Sequence, residues 1–187
     1  VNGEVVHVET PFTEDVAGAF MIGERVLVSG TLWVARDAAH MRMIETLERG
    51  KDLPFPSVGA VMFYMGPSPA RPGEAIGAAG PTTAARMDRF VRPLLECGVR
   101  GMIGKGERSD EVRKLCADFC AVYLAATGGA GALYGERIKA AEVVAYEDLG
   151  PEALRKIEVE DFPAVVAIDA SGRDLYGKSR EKWGPSR

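Results

Sequence analysis

What this chain has little of narrows its chemistry before any motif is read. It carries 3 cysteines and 2 histidines in 187 residues. Cys97, Cys116 and Cys120 are an odd number in a chain too large to need disulfide staples, which points to a reducing compartment and to free thiols. There is no CxxC pair and no Cys/His ligand set, and His7 and His40 are the only imidazoles, so no metal held by this chain alone is expected. Positive charge is not in excess either. The 23 basic and 27 acidic residues give a net charge of −4, which offers no field for nucleic acid or an anionic membrane surface, so any anion site must be local. No apolar run approaches the roughly 20 residues that span a bilayer, and the basic-then-apolar layout of a signal peptide is not seen. The expected compartment is the cytoplasm. With no internal repeat, low-complexity block or clear linker, residues 1–187 read as one domain, and 47% hydrophobic content lets it bury its own core.

Strand and helix signals alternate along the sequence. Val5–Val8, Arg25–Ser29 and Thr31–Val34, the last two split by Gly30, are rich in strand formers. From Asp37 to Arg49, the residues His40, Met43, Ile44 and Leu47 follow the helical repeat, and Gly50 is placed for a C-terminal cap. Val58–Met65 fits a buried strand. Gly66 to Gly80 holds Pro67, Pro69, Pro72 and Gly73, too many breakers for regular structure, and long ordered loops often carry function. A helix is expected from Pro81, with Met87, Phe90, Val91, Leu94 and Leu95 on its core face and Gly98 at its end. Gly101–Gly104 predicts a brief strand, and Ser109 caps a helix read through Asp110–Thr127 to Gly128-Gly129. Strands at Val143–Tyr146, Ile157–Val159 and Ala164–Asp169, a short helix near Pro151–Arg155, and a hairpin turn at Ser171-Gly172 toward Leu175-Tyr176 complete a mixed α/β pattern.

The most informative stretch is Gly80-Pro81-Thr82-Thr83-Ala84-Ala85-Arg86-Met87-Asp88. Pro81 is favoured at or just before the first helical position, and Thr82 or Thr83 can cap the free N–H groups there. Arg86 falls in the first turn at the edge of the apolar stripe, whereas Arg89 and Arg92 point away. A guanidinium at a positive helix end suits a carboxylate or phosphate. A capped helix with an ordinary boundary arginine accounts for the same residues. Gly104-Lys105-Gly106 sets a lysine on a glycine turn, whose usual meaning is a solvent-exposed lysine. It is not a Walker A loop, because Val99 stands at the first glycine position and no Ser or Thr follows Lys105.

Arg36, in Ala35-Arg36-Asp37-Ala38-Ala39-His40, again sits where a helix begins. Asp37 can cap that helix or hold a guanidinium. His40 lies in line with Met43 and Leu47, and a lone histidine on an apolar face is more often a bonded core residue than a catalyst. Cys116 and Cys120 are spaced to share a helical face as a metal pair. Leu115, Phe119, Tyr123 and Leu124 around them favour core thiols. Together, Arg36, Thr82, Arg86 and Lys105 form a cationic and hydroxyl set, brought by three element starts, suited to an acid with two carboxylates.

The segments TLWVARDAAHMR (31–42), GPSP (66–69), GAAGPTTAARMD (77–88), GMIGKG (101–106) and EVEDFPAVVAID (158–169) closely resemble the beta subunit of the iron–sulfur hydro-lyases, the class I fumarase and tartrate dehydratase family. The resemblance covers nearly the whole chain in motif order, and GPTT-x-x-RMD is its most specific string. Met41 departs from it, because many relatives carry a basic residue there. The resemblance implies a compact swivelling β/β/α domain and the reversible hydration of fumarate to L-malate. L-tartrate dehydratase is the alternative within the family, with the AARMD ending favouring fumarase. A non-catalytic dicarboxylate-binding or assembly module is the alternative outside it.

The resemblance further implies a [4Fe–4S] cluster held by three cysteines of a separate alpha subunit, none bound by this chain. One open iron of the cluster would act as Lewis acid for the C2 hydroxyl. By motif position, Arg36, Thr82, Thr83, Arg86 and Lys105 bind substrate. Thr82 is the candidate for handling the C3 proton, assisted by a carboxylate of the alpha chain. Asp37 and His40 support Arg36. The implied partners are the alpha subunit, without which the chain is inactive, and a small dicarboxylate. The implied assembly is a heterotetramer, or a homodimer when this chain is isolated.

Overall fold

Two long strands organise the fold. In the computed structural model, which describes residues 5–183, β2 (Arg25–Val34) and β7 (Leu154–Ile168) run antiparallel, from Arg25 opposite Val165 to Val34 opposite Arg155. The expected domain limits at residues 1 and 187 lie outside the described residues. Along the other edge of β2, β1 (Val5–Glu9) pairs with its first half and β3 (Val61–Phe63) with its end, both parallel. β4 (Gly101–Gly104) and β5 (Val122–Ala125) continue in parallel from β3, and β5 meets β7 antiparallel. β6 (Ile138–Ala145) pairs with the first half of β7. Because β2 and β7 also pair with each other, β2-β3-β4-β5-β7 closes on itself into a barrel-like sheet.

The pleat divides the apolar residues into two cores. Val28, Leu32, Val34, Phe63, Ile103, Leu124 and Phe162 form the inner one. Trp33, Met62, Tyr64, Met102 and Tyr123 face the other way, toward the helices. There they meet Ala39, His40 and Met43 of α2 (Asp37–Glu48), and Met87 and Phe90 of a 3-10 helix (Ala84–Phe90) that runs into α3 (Val91–Glu96). Val112, Leu115 and Cys116 of α4 (Asp110–Asp118) complete that layer. The mixed α/β expectation therefore takes the form of a barrel with helices outside it, with α1 (Glu14–Ala19), α5 (Gly131–Arg137) and α6 (Leu175–Trp183) as further helices.

Three expectations are corrected. The helix read through Asp110–Thr127 stops at Asp118, and Val122–Ala125 is β5, so Cys116 and Cys120 do not share a helical face. Cys120 is the turn residue, at φ +48. The two strands read at Ile157–Val159 and Ala164–Asp169 are one strand. Its interruption is a bulge at Asp161, whose N–H donates to the Ser29 hydroxyl at 3.0 Å. Pro163 is tolerated because β6 has ended and β5 has not begun, leaving that edge of β7 unpaired. Finally, the hairpin turn at Ser171-Gly172 forms but closes on a single antiparallel bridge, Ile168 to Asp174, and Leu175-Tyr176 beyond it open α6.

Because β2 to β5 are parallel, their carboxyl ends share one rim. Arg36, Gly66 and Lys105 all stand there. The carboxyl ends of parallel strands are where α/β sheets most often bind ligands.

Candidate functional site

The Pro81–Thr83 segment is extended backbone stitched between two strand ends. Thr82 N–H donates to Tyr64 O at 2.6 Å, Lys105 N–H donates to Thr82 O at 3.1 Å, and Ala84 N–H donates to Lys105 O at 2.9 Å. This corrects the expected cap. Pro81 bridges Met65 and precedes any helix, while Thr83 occupies the cap position of the 3-10 helix without a side-chain cap bond. The hydrogen bonds of Thr82 among the described residues are all main-chain ones. The local reason is Gly104. A Cβ there would lie 2.9 Å from Ala84 Cβ and 3.0 Å from Tyr64 Cδ2, so glycine is what lets the threonine segment close on β4.

Arg86 stands on the 3-10 helix and makes a two-pronged pair with Asp37. Its Nε lies 3.2 Å from Oδ1 and its Nη2 lies 2.6 Å from Oδ2, with the Arg86 side chain 49% exposed. Asp37 is therefore the partner of Arg86, not of Arg36. Arg36 faces Glu152, with Nη2 3.6 Å from Oε1, while its buried Nε has no partner. The other oxygen of Glu152 accepts the Ala38 N–H at 3.1 Å, capping α2 from a distant segment because Arg36 at its cap position cannot. Arg36 also lies across Gly66, where a Cβ would stand 2.4 Å from Nη1. No local signal marks Glu152, which is 114 positions from the amide it caps.

Lys105 is half-buried on the rim, bonded through its main chain, and its ammonium forms no ion pair among the described residues. His40 is fully buried beneath Arg36. Its Nδ1 lies 2.8 Å from Arg36 O, which the Nδ1–H tautomer satisfies, and its ring stacks on Phe90 at 5.5 Å. Burial pushes its pKa down to about 4, so it is neutral near pH 7. It touches the backbone of Arg36, not the open rim.

The thiols do not fit a cluster. Cys116 is packed in the outer core, where burial pushes its pKa up to about 12. Cys97 and Cys120 precede the amino ends of β4 and β5, opposite the rim. Among the described residues, no group of three His, Cys, Asp or Glu side chains is placed to hold a metal ion. Among the described residues, the rim offers two guanidiniums, each faced by one carboxylate, an ammonium with no ion pair and two threonine hydroxyls. That is a set for holding a dianion, not a metal.

Comparison with known proteins agrees with this character. The chain is 40% identical over 162 residues to fumarate hydratase 2 of Leishmania major, covering 86% of this chain and 28% of that protein. It is 38% identical over 181 residues to the aerobic class I fumarate hydratase of Escherichia coli K12, covering 94% and 33%. It thus spans about a third of the length of these fumarate hydratases. A Methanocaldococcus jannaschii protein assigned as the beta subunit of L(+)-tartrate dehydratase is 33% identical over 167 residues, covering 86% of each chain. In the described residues, no helix is long and apolar enough to cross a membrane. The family model described as Fumarase C-terminus matches residues 2–179, and the chain belongs to that family.

Proposed function

We propose that this chain is the substrate-clamping part of a hydro-lyase that interconverts fumarate and L-malate in the cytoplasm. The observation that carries the reading is the convergence of Arg36, Thr82, Thr83, Arg86 and Lys105 on one rim, at the ends of β2, β3 and β4. Arg36 and Arg86 come from different elements, so they can grip the two carboxylates of a four-carbon diacid from different sides. Loss of the C3 proton from malate builds negative charge on the adjacent carboxylate. Fixed guanidinium and ammonium groups stabilise that charge, and among the described residues Lys105 is the clamp cation with no carboxylate of its own to release first. The Thr82 hydroxyl, unused as a cap, is the group of this chain available to meet the C3 proton. A threonine is a poor base unaided, so a carboxylate of the partner completes the transfer.

The length of the fumarate hydratase relatives and the "subunit beta" in the archaeal relative's name support an alpha partner. Since the thiols of this chain do not fit a [4Fe–4S] cluster, that group belongs with the alpha part, and the chain is inactive alone. A heterotetramer with the alpha part, or a homodimer of the isolated chain, is the expected assembly. Tartrate is the second reading, favoured by the archaeal relative, which matches over most of its own length. Anaerobic affinity purification of the chain from its native cells, followed by fumarate and tartrate assays on what co-elutes, tests the proposal. A stoichiometric iron–sulfur partner and fumarate–malate interconversion are expected. A chain that elutes alone contradicts the obligate-subunit reading, and turnover of tartrate alone replaces the substrate.

A further inference from the structure

Three polar side chains are buried among the described residues: His40, Arg108 and Asp169. Asp169 is satisfied by its own turn, where it accepts the Ser171 and Arg173 N–H groups and pairs with the Arg173 guanidinium. Arg108 is different. Its side chain is 0% exposed, and its Nε donates to Asp88 Oδ1 at 2.7 Å. The guanidinium centre lies 5.4 Å from the Tyr64 ring and 5.0 Å from the Tyr123 ring, and Nη2 has no partner. The second oxygen of Asp88 accepts Ser109 N–H at 2.8 Å, and the Tyr123 hydroxyl donates to Gly106 O at 2.8 Å.

These contacts join two segments that the clamp needs in register. Asp88 follows Arg86 by two residues on the 3-10 helix, and Arg108 follows Lys105 by three on the β4–α4 connection. Stability is a poor reason for such a pair. Burying the Arg108 charge beside a half-buried Asp88 costs desolvation that only good geometry offsets, and apolar residues of similar volume often serve as well. What apolar packing lacks is a planar fork, held against two aromatic rings, that fixes one segment's direction against the other.

We propose that Arg108 is a positioning residue which, through Asp88 and the Tyr64 and Tyr123 rings, sets the placement of Arg86 relative to Lys105 so that both cations meet one dicarboxylate. The inference rests on the clamp reading above. The test uses the complete enzyme with its partner, carrying Arg108→Met, Asp88→Asn, or both. Arg108→Met alone leaves an unpaired Asp88 carboxylate and lowers Tm. The double variant removes both charges and regains most of that Tm, yet kcat stays at least about tenfold down, with KM changed less. Amide exchange at Lys105 and Ala84, the two N–H groups that stitch the threonine segment to β4, is at least about tenfold faster, while the β2 and β7 amides keep their protection.

A double variant with wild-type kcat and unchanged exchange at Lys105 and Ala84 overturns the proposal. So does one in which all amides loosen together, because that is general destabilisation. Lys105→Ala measured alongside separates the two possible failures. Full activity there removes the clamp reading itself, whereas loss there with a fully active double variant removes only the positioning role.

Discussion

Arg36 is held by shape more than by charge. Its separation from Glu152, 3.6 Å, is too long for a strong hydrogen bond, while the bare backbone of Gly66 lies directly under the guanidinium. Gly66→Ala would push a methyl group against Nη1, and because the displaced atom ends a flexible side chain, the fold would yield at little cost. The expected result is a kcat/KM for fumarate at least about tenfold lower with Tm nearly unchanged, read from steady-state kinetics and thermal melts of the same sample. His40, beneath Arg36, makes a different prediction. Its folded pKa of about 4 lies below the 6.5 of a free imidazole, so the unfolded chain binds the proton more readily. Its contribution is fully present above pH 6.5 and is lost as pH falls toward 4, by about 3 kcal/mol in all. Urea unfolding of the wild type and His40→Phe from pH 7 to 4 should show that difference closing by about this amount. Parallel pH profiles would contradict this, because they require His40 to take up its proton as readily in the folded chain as in the unfolded one.

At the scale of elements, the extended Pro81–Thr83 segment decides the site, and Gly104 decides that segment. Unlike Gly66, Gly104 faces atoms that cannot swing away, because Ala84 and Tyr64 are both buried. Gly104→Ala should therefore destabilise the fold by about 1–3 kcal/mol, measured by chemical denaturation, and loosen the threonine segment with it. The elements legible in the sequence were those with local signals: the valine-rich β1, α2 ending at Gly50, and the Ser109 cap, whose hydroxyl accepts Val112 N–H in the structure. The α4–β5 boundary was not. Val122, Tyr123 and Leu124 are fully buried on both faces of the sheet, so they show no period of two, and only their neighbours β4 and β7 make them a strand. The same rule divides the site. The clamp residues lie in compact motifs, but the carboxylates that face them are far away in sequence. Asp37 meets Arg86 across 49 positions, and Glu152 reaches the α2 amides across 114.

For the whole molecule, a closed sheet with a cation-lined rim gathers positive charge locally in a chain of net charge −4, which is what the proposed dianion clamp requires. The relatives named fumarate hydratase are about three times as long as the matched region, and on the proposed function their remaining part is what meets this rim. The Lys105 ammonium forms no ion pair among the described residues, so its removal costs the fold little and any loss of activity reports on substrate. The decisive measurement is kcat/KM for fumarate hydration by the complete anaerobic enzyme carrying Lys105→Ala, with Tm recorded on the same preparation. The expected result is a loss of about a hundredfold or more with Tm within about 2 °C of wild type. A kcat/KM within a few-fold of wild type would contradict it.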